Sequence, residues 1–492
     1  VAEFPTRSDF SDRIKDIGEP ALCILKQVNC DLPCLWGRVS EIVGWGRLLS
    51  VKPAPTGWTI VPERINRTRS HYNDNCYHSH SVSMPATSTA QQPQIDLAFI
   101  GAGPHALTIA AHILKKRNSL RDKILAFDPS GDWLTEWRRQ FAALEIPHLR
   151  SPAVHHPDPN PYELRRFAEN RPCELFPPYD LPGSRLFEEF CGDTIKRWEL
   201  GDRVFRAKIT SIQLKSGRFQ LWFDSGNSAI ARRVIVATGG GKPNLPAWTD
   251  RIESPYPAEK LRHSHQIDLR NLQLQGEEIL IVGGGLTSGH LAVGATARGA
   301  KVLLMTRRQF QEKLFDADPG WLGPKYLKGF AAQPDWEKRW QTIQQARSGG
   351  STTPEIMAQL RRLSHSKKLA FHEQCFVAGV RWENHRWTVD CSDGEKLAVD
   401  RIWLATGTKP DINAEPLFAE MLKNHPIEIV KGLPVLDKHL RWAGCELFVT
   451  GPLAALQVGP TARNLSGARM ACDRIVPAIV KSSLAISYEY CN

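Results

Sequence analysis

Two short stretches limit what this chain can fold into more than any other feature. Ile95–Leu114 reads IDLAFIGAGPHALTIAAHIL, and Ile279–Ala292 reads ILIVGGGLTSGHLA. Each is an apolar run, then clustered glycines, then apolar residues at helical spacing. A buried strand that enters a glycine turn and leaves as a helix is the opening of a dinucleotide-binding βαβ unit. In the first copy Gly101 allows the tight turn and Gly103 lets the backbone approach a pyrophosphate. Pro104 and His105 open the helix, and Ala106 is small enough for it to pack on the strand. The next strand, ILAFD, ends at Asp128, where an acid grips a ribose hydroxyl.

The second copy has Gly283 and Gly285 in the same places, then Leu286 and Thr287, with Ser288 at the third small position. Its following strand, VLLM, runs into Thr306, Arg307 and Arg308 with no acid. A guanidinium holds a phosphate through two hydrogen bonds, so this turn suits a ribose carrying a 2′-phosphate. The two turns together predict FAD in the first and NADPH in the second. Two further strands end in A-T-G: VIVATG at Gly239 and IWLATG at Gly407. Each follows a stretch with the look of a small sheet. A last strand, ELFVTG, ends at Gly451 and completes the FAD side.

At 492 residues the chain is too long for one core. The expected class is α/β, with two Rossmann-like, doubly wound, three-layer domains. The FAD domain spans 91–270 and 400–485, split around an NADPH domain at 271–399. Residues 1–90 are read as a poorly structured extension, with the compact domain starting near Met84. Cys76, His78 and His80 lie in that polar run and are read as linker, not as metal ligands.

The net charge of +11 is spread along the chain without a Lys/Arg block, so no nucleic-acid partner is expected. No apolar run approaches the roughly 20 residues needed to span a bilayer, and the N-terminus lacks the apolar core of a signal peptide. The eleven cysteines are scattered with no C-x-x-C. Reduced thiols, a cytoplasmic location and no bound metal are the expectation, and an oligomer is compatible with all of this.

The layout resembles the flavoproteins with two dinucleotide-binding domains. The segment LRSPAVHHPDPNPYELRRFA (149–168) and the later LPGSRLFEEFCGDTIKRW narrow the resemblance to the flavin monooxygenases that N-hydroxylate lysine or ornithine in siderophore assembly. Asp158, Pro159, Ser184, Arg185 and Trp198 fit that family's pattern, and His263-Ser264 fits its linker before the NADPH domain. Arg150 stands where the family has Gln, His155 where it has Lys, Thr408 where Tyr is usual, and Pro452 where an acid is often found. The resemblance implies an FAD-dependent, NADPH-using enzyme that activates oxygen as a flavin hydroperoxide and hydroxylates a small amine. Read from the residues alone, the proline-dense loop is rigid and can wall a flavin, with Arg150, His155 and His156 as candidate catalytic donors. Phe315–Phe330, with Trp321, Lys325 and Tyr326, is a second candidate wall. Two other readings stand beside this one: an NAD(P)H reductase or oxidase with a non-amine acceptor, and a non-catalytic redox sensor.

Overall fold

The computed structural model describes residues 95–486, except 240 and 254. The expected extension at 1–90 lies outside the described residues. The first sheet contains β1 (Ile95–Ile100), β2 (Ile124–Asp128), β3 (Val204–Arg206), β4 (Ile209–Lys215), β5 (Arg218–Phe223) and β6 (Ser228–Val236), in the order β3-β2-β1-β6-β5-β4. From β3 to β6 the pairing is parallel; β6, β5 and β4 continue it as an antiparallel meander. β5 buries Phe219, Leu221 and Phe223 alternately, as a strand with one wet face does.

The second sheet takes β7 (Leu261–His263), β8 (Glu278–Val282), β9 (Lys301–Thr306) and β10 (Leu369–Glu373). A three-stranded antiparallel sheet follows: β11 (Val377–Glu383), β12 (Arg386–Cys391) and β13 (Lys396–Val399). β14 (Arg401–Leu404) then returns to the centre, giving the all-parallel order β7-β14-β8-β9-β10. β15 (Leu447–Val449) pairs in parallel with the end of β6, back in the first sheet.

The helices that matter for the site are α1 (Pro104–Lys116), α2 (Ser184–Arg197), α3 (Leu286–Ala297), α4 (Pro324–Ala332), α5 (Trp336–Arg347), α6 (Pro354–His365) and α7 (Leu465–Val480). Side-chain alternation on β8 decides the layers of the second body. Ile279 and Ile281 share a core with Leu291 of α3 and Ile356 of α6. Leu280 points the other way, into a core with Trp387 and Val389 of the small sheet. The three layers are therefore helix, parallel sheet and antiparallel sheet.

The expected domain boundaries at 270 and 400 need correction. β7 and β14 are two of the five strands of the second sheet, so those boundaries cut through it. The chain crosses just after the two A-T-G turns, where Lys242–Pro243 pairs antiparallel with Thr408–Lys409. A second difference concerns α4 and α5. They lie between β9 and β10 in sequence, yet Phe330 and Ile343 pack in the core of the first body, with Trp321 just ahead of them. Their apolar faces find that core, while α3 and α6 cover their own sheet.

Candidate functional site

Each glycine turn lies at the C-terminal edge of a parallel sheet, where ligands bind in open α/β folds. The two glycines of the first turn have different reasons to be glycine. Gly101 has φ +93°, and a Cβ there would sit 2.8 Å from the Ala237 carbonyl oxygen of the A-T-G turn. Gly103 has an ordinary φ of −79°, and a Cβ there would meet nothing within 4 Å. The second turn repeats this. A Cβ on Gly283 would lie 2.4 Å from the Ala405 carbonyl oxygen, while one on Gly285 would meet open space. The first glycine of each turn is required by the protein, and the second only by something that comes to it.

The helices behind these turns agree. Gly103 caps α1 and Gly285 caps α3, with no side-chain hydrogen bond to the free N–H groups and no acid in either first turn. Uncapped N–H groups and a positive helix end facing open space fit a pyrophosphate. Asp128 ends β2 beside the first turn. One of its oxygens accepts from the Ala102 amide at 3.1 Å, the other from the Ser130 amide and hydroxyl at 2.9 and 2.6 Å. The carboxylate is held in place with acceptor capacity left for a ribose hydroxyl. Ala106 is fully buried, as a close helix–strand contact needs. His105 contacts the Thr450 hydroxyl through Nδ1 at 3.0 Å and joins this turn to the one at Gly451. Burial pulls this histidine down to about 4. Gly239 lies on the same edge, with its carbonyl oxygen 3.8 Å from where a Gly451 Cβ would be.

At the second turn Ser288 is buried and donates to the Gly285 carbonyl at 2.6 Å; Leu286 and Thr287 are half-buried beside it. Gly407 accepts from His263 Nε2 at 3.0 Å, which ties the His-Ser linker to the crossing. Arg307 and Arg308 follow β9 and are exposed, with no ion pair among the described residues. A Cβ on Gly349 would meet the Arg308 guanidinium at 1.8 Å, and one on Gly350 would touch Gly285 Cα at 3.4 Å. The arginine therefore lies against Gly349, whose neighbour Gly350 faces the turn.

The loop from Leu149 to Pro161 is pinned, as its prolines foretell. Leu149 and Ala153 donate amides to Pro182 and Asp180. Asp158, 2% exposed, accepts from the Asn160 amide, Arg197 Nη1 and Trp198 Nε1 at 2.8 to 3.0 Å. Arg469 of α7 donates to the carbonyls of His156 and Asp158 from the other side. Arg150 donates to the Leu314, Lys313 and Ser351 carbonyls and to the Ser351 hydroxyl. Its guanidinium is committed to joining this loop to the segment before α4. His155 is half-buried with Nδ1 3.2 Å from the Ser151 hydroxyl. His156 is fully buried, edge-on to Phe190, with Nε2 3.3 Å from the Pro161 carbonyl oxygen. Burial, aided by Arg469, pulls both histidines down to about 4, so both are neutral at pH 7. The structure thus separates the three catalytic candidates: Arg150 latches, His156 packs, and His155 alone keeps a weakly held ring.

Several residues at this junction carried no signal in the sequence. Arg347 donates to the Pro460 carbonyl and to Asp316, each at 2.8 Å, and Asn464 Nδ2 donates to Asp316 at 3.0 Å. Burial opposes ionisation of Asp316, but Arg347 and Arg150 outweigh it and hold the carboxyl below its ordinary value. Arg347 and Asp316 are 31 residues apart, and the other contacts, with those of Arg469 and Ser351, span more than 100 residues of chain, beyond any local pattern. Of the second candidate wall, Trp321 and Phe330 are buried in mutual ring contact, while Lys325 Nζ lies 4.9 Å from the Tyr326 ring centre. A cavity of about 580 Å³ opens between Lys313, Asp318, Trp321, Tyr326 and Gln345.

Residues 95–318 match the family model described as pyridine nucleotide-disulphide oxidoreductase. No curated protein sequence is matched significantly. Among solved structures, the chain is similar to an ornithine N-hydroxylase of Kutzneria sp. 744, determined with reduced FAD, NADP+ and L-ornithine. That match has TM-score 0.64 at 17% identity and covers 79% of this chain and 99% of that one. It is also similar to an FAD-bound cadaverine monooxygenase of Erwinia amylovora, with TM-score 0.63 at 14% identity over 80% and 97% of the two chains. An L-lysine 6-monooxygenase of Pseudomonas syringae matches with TM-score 0.62 at 17% identity over 78% and 99%. At such identities the likeness establishes the fold, and the paired turns and crossings establish it from within: this chain has the fold of the flavoproteins with two dinucleotide-binding domains.

Proposed function

We propose that the chain is an FAD- and NADPH-dependent monooxygenase that hydroxylates the nitrogen of a small amine. The observation that carries this reading is the pair of open second glycines, each before an uncapped helix, with an acid beside one and two unpaired arginines beside the other. The first body, 95–243 and 408–486, takes FAD, and the segment between takes NADPH. In the first body Gly103 and the α1 N-terminus hold the pyrophosphate and Asp128 the ribose. Gly285 and the α3 N-terminus do the same for NADPH, with Arg307 and Arg308 on its 2′-phosphate.

When bound, FAD supplies the redox chemistry, taking hydride from NADPH and passing the electrons to oxygen. The chain's own residues supply position and dryness. The loop 149–161, clamped by Arg150 on one side and Arg469 on the other, shields the flavin side from water. His155, neutral at pH 7, accepts or donates a hydrogen bond without adding charge. An amine must react in its neutral form, though its free pKa is near 10.4. Burial and the surrounding arginines favour loss of that proton. The cavity beside Leu314 offers Asp318 and the rings of Trp321 and Tyr326 to the non-reacting end of an amine. Partners are then the amine and oxygen, and the setting cytoplasmic. Among the described residues no helix is long and apolar enough to cross a membrane.

The fold likeness to three amine hydroxylases supports this reading, as does the position of the thiols. Among the described residues the two cysteines that lie together, Cys375 and Cys391, are in the small sheet, away from the first glycine turn. Among the described residues no cysteine pair lies beside the first glycine turn, which disfavours disulfide reduction.

The test is oxygen uptake by the purified yellow protein. NADPH should bleach the flavin anaerobically, faster than NADH does, and one member of an amine panel should stimulate NADPH-dependent oxygen uptake. Bleaching with no response to any amine would favour the plain reductase. No bleaching by either nucleotide would favour a sensor.

A further inference from the structure

The small sheet holds a cluster that the redox site does not use. His372 is the penultimate residue of β10, Cys375 lies in the link to β11, and Cys391 ends β12. The donor atoms of these three all lie within 4.8 Å of one another. Both thiols are buried, at 1% and 6% exposure, and the imidazole is half-buried. Asp393 and Glu395, on the turn after β12, face the same imidazole: His372 Nε2 is 2.6 Å from the Asp393 carboxylate and 3.7 Å from that of Glu395. Asp393 therefore reaches the cluster through its imidazole.

The chemistry of this set is specific. Two thiols, one imidazole and one carboxylate are a complete tetrahedral set for zinc. Buried single cysteines are commonplace packing residues, as Cys191 and Cys472 are here. Two buried thiols converging on an imidazole that is already oriented by a carboxylate are not explained by packing. The expectation of no metal rested on the missing C-x-x-C. The spacing here is H-x-x-C, then fifteen residues, then C-x-D. The β11–β12 hairpin brings the halves together, with Val377 opposite Cys391.

We infer that His372, Cys375 and Cys391, whose donors already converge, hold a zinc ion separate from the dinucleotide turns, with Asp393 drawn from its contact on the imidazole to be the fourth ligand. Binding deprotonates both thiols and releases two protons to solvent, leaving two zinc–thiolate bonds. A closed site with four protein ligands is structural. Its place gives it something to brace. The Cys375 amide donates to the Thr306 carbonyl at 3.1 Å, and Glu373 accepts from the Phe310 amide at 2.6 Å. Zinc here fixes the base of the segment that carries Arg307 and Arg308.

The probe is Co2+ added alone to the untagged, metal-stripped full chain. One equivalent should bind, with a thiolate-to-cobalt charge-transfer band and tetrahedral d–d bands beyond the flavin's own absorption. Cys375→Ser and Cys391→Ser should each abolish the charge-transfer band's two-thiolate intensity, while Cys173→Ser, an exposed thiol elsewhere, leaves it unchanged. X-ray absorption on the zinc-loaded wild type needs no variant. It should give two sulfurs at about 2.3 Å and two lighter ligands at about 2.0 Å. Absence of a thiolate–cobalt band, a zinc shell without sulfur, or a Cys375–Cys391 disulfide in protein purified without reductant would each overturn the site.

Discussion

Gly101 and Gly103 are two residues apart and should fail in different ways. Gly103→Val adds a side chain to open space at an ordinary φ, so the flavin-free protein should melt as the wild type does yet bind no FAD. Gly101→Ala forces a left-handed φ and a contact with the Ala237 carbonyl. It should cost roughly 1–3 kcal/mol in denaturant unfolding before any ligand is added. Equal loss of stability in both would mean that Gly103 serves the fold and not a cofactor. At the second turn, Arg307→Ala with Arg308→Ala should raise KM for NADPH about 10- to 100-fold and leave KM for NADH nearly unchanged, since a charged phosphate contact contributes about 1.5–3 kcal/mol. Equal effects on both nucleotides would make the arginines structural. These residues were legible because a glycine turn is a local pattern, complete within about thirty residues. What the sequence did not reveal was which glycine answers to the protein and which to the ligand. That depends on Ala237 and Ala405, more than 100 residues away.

The proline loop and its clamps show the same limit among the elements. The density of prolines in LRSPAVHHPDPNP announced a rigid loop, and Asp158 was picked out with Trp198 by family pattern. Their direct hydrogen bond gives that pattern its physical reason. Asp158→Ala would strand Trp198 Nε1 and the Asn160 amide and remove one of the carboxylates on Arg197, which keeps Asp193 and Glu163. An unfolding cost of about 1–3 kcal/mol is expected from denaturant midpoints; an unchanged midpoint would deny the loop its anchor. Arg150 and His156 read as flavin donors from their loop position, because sequence carries no record of what else a guanidinium can reach. The carbonyls of Lys313, Leu314 and Ser351 reach Arg150 first. Phe315–Phe330 likewise reads as a loop wall. Its apolar residues do pack, but onto the core of the other body.

Across the whole molecule, the split arrangement was readable from two glycine turns and two A-T-G strands, while the boundaries were not. β7 and β14 are only three and four residues long, too short to declare which sheet they join. Burial also leaves a pH signature on the assembled fold. His156 and His290 are buried and lowered to about 4 from 6.5. Between those values the unfolded chain binds more protons than the folded one. Their contribution is thus fully present above pH 6.5 and is lost as pH falls towards 4, by up to about 1.4 kcal/mol per pH unit for each histidine. The melting temperature should fall from pH 6.5 to 5, and His290→Gln should make that slope shallower; an unchanged slope would remove His290 from the account. Arg150 joins the flavin-side loop to the inserted segment, so Arg150→Ala should loosen that closure, admit water and yield more hydrogen peroxide per NADPH. The most direct test of the central claim is a product balance for the wild-type protein under air, counting hydroxylamine and hydrogen peroxide formed per NADPH oxidised across a panel that includes lysine, ornithine, cadaverine and shorter amines. The account predicts that at least one amine gives hydroxylamine as the main product with peroxide suppressed. Peroxide alone with every amine would contradict it.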